Sequence, residues 1–165
     1  MSYFKILGSF LLLQLMCISL SMAQSKAQRL PDLLTITNMD NADVILNNSL
    51  PKKGNVLLVF FDPGCGHCQQ LGQGIAKNLP KFANMQIYFI SMNDKAYVDG
   101  FVNMFAPALK GKKNISFWKD EKAEFITKIQ PQSYPATYLY ELPSRKLIHA
   151  FDGEGDVRKL LQHMP

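Results

Sequence analysis

An α/β fold, with a central mixed sheet flanked by helices, is predicted by three features of this 165-residue chain. Val56-Leu57-Leu58-Val59-Phe60-Phe61 is continuously apolar and rich in strand formers, the pattern of a strand buried on both faces. Leu71, Ile75, Leu79 and Phe82 then recur at helical spacing, so one face of a helix is apolar. Met85 to Ile90 is a second apolar run, and a strand-helix-strand crossover requires the two strands to pair in parallel.

The remaining elements follow in order. Pro63-Gly64 ends the first strand, because proline withholds a ladder donor and glycine favours a turn. Val98, Phe101, Val102 and Phe105 predict another amphipathic helix, limited by Pro107. Ile115 to Trp118 reads as a short strand, and Phe125, Ile126 and Ile129 as one face of a short helix. Ala136 to Tyr140 and Lys146 to Phe151 predict a hairpin around Pro143-Ser144. Asp156 is placed to cap a last helix carrying Val157, Leu160, Leu161 and Met164. No repeat or internal linker interrupts the series, so a single domain over residues 24–165 is expected.

The first residues stand apart. Lys5 supplies a positive charge, Ile6 to Leu20 is largely apolar, and Ser21-Met22-Ala23 offers small residues at a cleavage point, which together read as a signal peptide over residues 1–23. The apolar core is short of the roughly 20 residues that span a bilayer, which disfavours an uncleaved anchor. A periplasmic or secreted protein is the expectation. Cys17 leaves with the signal, since Gln14-Leu15-Met16 lacks the small residue that lipoprotein processing uses. A polar, Pro-containing stretch from Ala23 to Leu33 reads as a mobile leader.

The net charge of +5 falls by one with Lys5, and the basic loop Lys110-Gly111-Lys112-Lys113 has no interleaved aromatic residues. It reads as a solvated turn, and no nucleic-acid partner is expected. With 47% hydrophobic residues the chain can bury a core without help from cross-links.

The mature chain keeps only Cys65 and Cys68, in Cys65-Gly66-His67-Cys68. This spacing serves redox pairs, halves of zinc sites and haem attachment. Haem attachment needs His directly after the second cysteine, where Gln69 stands. A structural cross-link closing so short a loop is worth only about 2 kcal/mol, so the pair reads as functional. Cys65 falls at the mouth of the predicted helix and Cys68 in its first turn, beyond the carboxyl end of a central strand. Open α/β sheets commonly place their chemistry there.

The apolar strand, Phe61-Asp62-Pro63-Gly64-Cys65-Gly66-His67-Cys68, the following helix and the later Tyr134-Pro135 resemble the thioredoxin superfamily over nearly the whole mature chain. The stretch from Asn93 to Gln130 is longer than a plain thioredoxin has. Its extra strand and helix, with Trp118-Lys119-Asp120, Tyr134-Pro135-Ala136-Thr137 and Gly153, resemble the exported TlpA/ResA-like branch. The resemblance implies a three-layer sandwich with a strand-helix insertion, and thiol-disulfide oxidoreductase activity. It makes Pro135 a cis-proline facing the cysteines. Two departures are plain: Gly64 stands where a Trp is frequent, and Val59 where a buried carboxylate is frequent. Asp62 becomes the candidate for proton transfer to Cys68, against the plainer role of a turn residue.

The free N–H groups of a helix start favour a thiolate at Cys65, which makes it the nucleophile and Cys68 the resolving thiol. An imidazolium at His67 would stabilise the reduced form and make the couple more oxidising. Gly64, Gly66 and the backbone near Tyr134 offer an approach for an extended peptide. The expected partners are protein thiols or disulfides and a redox partner, membrane-bound or not. The chain reads as a monomer, and no cofactor is expected beyond its own cysteines. The competing reading from another class is a copper or zinc module through Cys65, His67 and Cys68, or a non-catalytic chaperone. Tetrahedral zinc wants a fourth ligand, and His149 and His163 read as isolated packing or surface residues.

Overall fold

The computed structural model describes residues 28–164. The predicted signal segment, including Cys17, lies outside them. Six strands form one sheet: β1 (Thr37–Asn38), β2 (Gly54–Phe60), β3 (Met85–Ser91), β4 (Ile115–Lys119), β5 (Ala136–Leu142) and β6 (Lys146–Asp152). Their order is β1-β4-β3-β2-β5-β6. β2 pairs in parallel with β3, and β3 with β4. The β1–β4, β2–β5 and β5–β6 pairs are antiparallel, so the sheet is mixed, as expected. Among the described residues four α-helices accompany it: α1 (Gly66–Lys77), α2 (Lys95–Phe105), α3 (Glu124–Ile129) and α4 (Val157–Leu161). Among the described residues no helix is long and apolar enough to cross a membrane.

The continuous apolar run of β2 is explained by cores on both faces. Leu57 and Val59 point to one side, where they join Leu71 and Ile75 of α1, Phe101 of α2 and Leu160 of α4. Val56, Leu58 and Phe60 point to the other, against Phe125 and Ile129 of α3 and the chain before β1 at Leu30, Leu33 and Ile36. Alternation along the strand thus divides one apolar run between two layers, giving a three-layer arrangement. β4 and α3 form the predicted strand-helix addition after α2.

Four details differ from the sequence reading. The helix after the cysteines ends at Lys77, and Leu79–Phe82 forms a separate 3₁₀ turn with Pro80 near its start. Proline there cannot supply the amide an α-helix would need, although Phe82 is still fully buried. Ile126 is 39% exposed while Phe125 and Ile129 are buried, because consecutive helical residues diverge by about 100°. The described part of the supposed leader is tied down. Leu30 and Leu33 are buried, and the Leu30 N–H donates to Arg145 O at 2.8 Å. The Arg145 guanidinium donates to Asp32 Oδ1 at 2.6 Å and Pro31 O at 2.8 Å.

The fourth difference joins the two histidines read as isolated. His149 on β6 and His163 after α4 stack with ring centroids 3.9 Å apart, and Phe151 lies 4.3 Å from His149. Burial and the neighbouring His163 hold His149 below its ordinary value of 6.5. A folded pKa below the unfolded one means that the contact contributes stability at neutral pH and loses it as pH falls through the lowered value. Amide exchange across α4 is therefore expected to gain extra opening as pH falls below about 6.5, the ordinary histidine value. His149→Phe, which keeps an aromatic surface, is expected to remove that dependence.

Candidate active site

β2 delivers the chain to the site at Phe60, and a tight turn redirects it into α1. The Asp62 carboxylate shapes that turn by accepting the Gly64 N–H at 2.7 Å, and the Cys65 N–H donates to Asp62 O at 3.1 Å. Gln69 Nε2 closes the turn from the helix by donating to Pro63 O at 3.0 Å. Cys65 is then the N-cap of α1, with extended backbone at φ −78° and ψ 124°. The Cys65 side chain accepts no cap hydrogen bond from the helix's first amides, and a helix start is a setting that favours negative charge.

The two thiols differ in access. Cys65 is half-buried, whereas Cys68 is 2% exposed and packs in the core with Leu71 and Phe61. Burial pushes the Cys68 thiol well above its ordinary range, and the neighbouring Cys65 and Asp62 push the same way. A backbone hydrogen bond from Asp62 opposes them. Cys68 therefore holds its proton until a base removes it or the burial changes.

The segment before β5 faces Cys65. Tyr134-Pro135 is cis, as the resemblance implies. The Cys65 thiol reaches Tyr134 O at 3.9 Å, a long sulfur contact. The Tyr134 ring stacks on Phe60 at 5.1 Å, and Phe60 stacks on Phe125 at 4.7 Å. Beside them a cavity of about 180 Å³ opens between Phe60, Ile126, Pro131, Gln132, Ser133 and Tyr134.

The other predicted residues fall around this centre. His67 and Gly66 are exposed on the first turn of α1, and a Cβ at Gly66 would meet nothing within 4 Å. Gly64 is exposed, yet a Cβ there would lie 2.6 Å from Tyr97 Oη. Val59 is buried among apolar side chains, so no acid occupies that position. The second oxygen of Asp62 accepts from Asn93 Nδ2 at 3.2 Å, and the same amide donates to Ser91 Oγ at 3.4 Å. His149 and His163 belong to the β6–α4 contact described above. Among the described residues, no three His, Cys, Asp or Glu side chains cluster so as to hold a metal ion.

Asn93, Ser91 and Tyr97 escape a sequence reading. Ser91 ends β3, Asn93 lies in the loop after it and Tyr97 in the first turn of α2, so only strand pairing carries them beside the turn at Asp62. The sole signal in the sequence is their place directly after a strand parallel to the one bearing the cysteines. The buried pair Asp120 and Glu124 proves structural. Asp120 accepts from the amides of Glu124 and Phe125 at 2.8 and 2.9 Å. Glu124 accepts from Leu34 N at 3.0 Å and Thr35 N at 2.7 Å, fastening the N-terminal segment to α3.

No protein-family model and no curated protein matches the sequence. Solved structures do match the fold. DsbF of Mycobacterium tuberculosis, in mixed oxidised and reduced forms, superposes with a TM-score of 0.63 at 17% identity, over 81% of this chain and 96% of that one. A secreted disulfide oxidoreductase of the same organism, homologous to Escherichia coli DsbE, has a TM-score of 0.61 at 16% identity, over 79% and 93% of the two chains. Peroxidoxin BcpB, also from M. tuberculosis, has a TM-score of 0.61 at 13% identity, over 82% and 96%. The chain thus has a thioredoxin-like fold. That fold serves disulfide oxidoreductases and a peroxidoxin alike, so function has to be argued from the site.

Proposed function

We propose that this chain is an exported thiol-disulfide oxidoreductase, similar to the TlpA/ResA-like branch, that exchanges disulfides with protein substrates through Cys65 and Cys68. The observation that carries this reading is the unequal pair itself. A half-exposed cysteine caps the CxxC helix beside a cis-proline segment, and its partner is buried one turn inward. Export rests on Lys5, the Ile6 to Leu20 run and Ser21-Met22-Ala23.

In the reducing direction the Cys65 thiolate attacks one sulfur of a substrate disulfide. The substrate S–S bond breaks, one substrate thiolate leaves and takes a proton, and Cys65 is joined to the other sulfur. Cys68 then gives up its proton and attacks Cys65, releasing the second substrate thiol and leaving a Cys65–Cys68 disulfide. Two electrons pass from the dithiol to the substrate, and the reverse sequence inserts a disulfide. The raised pKa of Cys68 makes its deprotonation the demanding step. With Val59 in place of an acid, Asp62 is the carboxylate for that step; its hydrogen bond to Asn93 holds it beside the cysteines.

The test is the equilibrium of the Cys65/Cys68 couple with glutathione buffers. A reversible two-electron couple is expected, and its absence refutes the reading. A potential near about −270 mV marks a reductase, and one near about −120 to −180 mV an oxidase or isomerase. His67→Pro removes the imidazole within the cysteine pair, and the couple is expected to become more reducing by about 30 mV, the equivalent of about 1.4 kcal/mol. An unchanged potential refutes a role for His67 in setting it.

A further inference from the structure

Tyr97 and Phe101 are four residues apart on α2 and so lie on one helix face, one turn after the other. Each meets a glycine of the cysteine-bearing segment. A Cβ at Gly72, in the middle of α1, would lie 2.6 Å from Phe101 Cζ, and one at Gly64 would lie 2.6 Å from Tyr97 Oη. Phe101 is 3% exposed, so the Gly72 contact fixes the register of α2 against α1. That register carries Tyr97 onto the residue preceding Cys65. Its hydroxyl end overlies Gly64 while the side chain stays 52% exposed.

The nucleophile is consequently flanked by two tyrosines from different elements. Tyr134 is 37% exposed, and its carbonyl oxygen is 3.9 Å from the Cys65 sulfur. Tyr97 stands at the other end of the short Gly64-Cys65 stretch. Two ion pairs lie near Tyr97, Lys119 with Asp94 at 2.7 Å and Lys95 with Asp99 at 2.8 Å. Asp62 Oδ1, which would lie 3.2 Å from the same Gly64 Cβ, has no cation partner among the described residues. This side of the approach to Cys65 therefore offers an aromatic face beside a carboxylate, a setting for an uncharged side chain.

We propose that Tyr97 is a specificity-determining residue: its ring, braced over Gly64, contacts the residue next to the reacting cysteine of an extended peptide and favours an aromatic or large aliphatic side chain there. The proposal rests on the disulfide-exchange reading and assigns the substrate class to it. Aromatic contacts of this kind are worth a preference of about 3- to 10-fold. Gly64 is required because a side chain at that position would displace the tyrosine.

The experiment uses reduced full-length protein and two synthetic peptides, each with one cysteine in mixed disulfide with thionitrobenzoate. One peptide has Phe beside the cysteine and the other Asn, so that both are uncharged at that position beside Asp62, and dithionitrobenzoic acid serves as a small disulfide control. Release of the coloured thiolate is followed, and the Phe-to-Asn ratio of second-order rate constants cancels any general change in reactivity. The wild-type ratio is expected to be about 3 to 10 and to fall toward one in Tyr97→Ala. Gly64→Ala is expected to lower it as well, and Gly64→Ala with Tyr97→Phe to recover it. Without the hydroxyl the nearest ring atom is Cζ, 3.8 Å from the added methyl. A wild-type ratio near one, or a ratio that survives Tyr97→Ala, overturns the proposal. A wild-type protein inert even to the small disulfide overturns the oxidoreductase reading itself.

Discussion

Cys68→Ala yields a chain that reacts once and stops, whereas Cys65→Ala yields one that does not react at all. The difference follows from access. Cys65 is half-buried at the start of α1, and Cys68 is 2% exposed behind it. Without Cys68 the first exchange still forms a mixed disulfide, and no other thiol is left among the described residues to resolve it. Multiple turnover is expected to fall to the buffer rate in both variants. Covalent adducts with substrate should accumulate in Cys68→Ala alone, seen as a mass increase that dithiothreitol reverses. Adducts in Cys65→Ala instead would assign the nucleophile to the wrong sulfur. Turnover surviving in Cys65→Ala would remove the oxidoreductase assignment and leave a binding protein on this fold.

Phe60→Ala is expected to cost about 3–5 kcal/mol of stability, the range for deleting a fully buried phenylalanine. Phe60 is 1% exposed, at the end of β2 between Ile90 and Ala136 in register. Its ring stacks on Phe125 and on Tyr134. The loss is thus felt in the α3 layer and at the segment facing Cys65. With a urea dependence of about 1–3 kcal/mol per molar, the midpoint should fall by about 2 M. Phe60→Leu refills much of the space and should recover most of that shift. If Phe60→Ala moves the midpoint by less than about 0.5 M, the stacked cluster is not the support for Tyr134 that its geometry implies.

Much of this architecture is legible in the chain because it depends on local pattern. The apolar run from Val56 to Phe61 can be satisfied only by cover on both sides, and Leu57 and Phe60 find it in separate cores. Pro63-Gly64 and Pro107 interrupt regular structure wherever they occur. The Asp156 cap is a contact over two residues, realised as the Arg158 N–H donating to Asp156 Oδ1 at 2.9 Å. The early end of α1 was equally open to inspection at Pro80. Counting only the apolar spacing of Leu79 and Phe82 carries the helix too far.

What stayed hidden depends on residues distant in sequence. Tyr97 is 33 positions from Gly64, and the numbering difference between Asn93 and Asp62 is 31. Neither pairing has a local signature, since helix α2 can reach the cysteine turn only after β3 has paired beside β2. The same holds for His149 and His163, brought together by the hairpin and α4. Periodicity, turn residues and caps act over a few residues, so the elements, their order, the position of Cys65-Gly66-His67-Cys68 at a strand-to-helix junction and Cys68 as the inner thiol are legible in the chain. The folded layers alone bring Tyr134 against Cys65, Tyr97 against Gly64 and Asn93 against Asp62. Those relations come from the packing of whole layers, which places together side chains that no local pattern links.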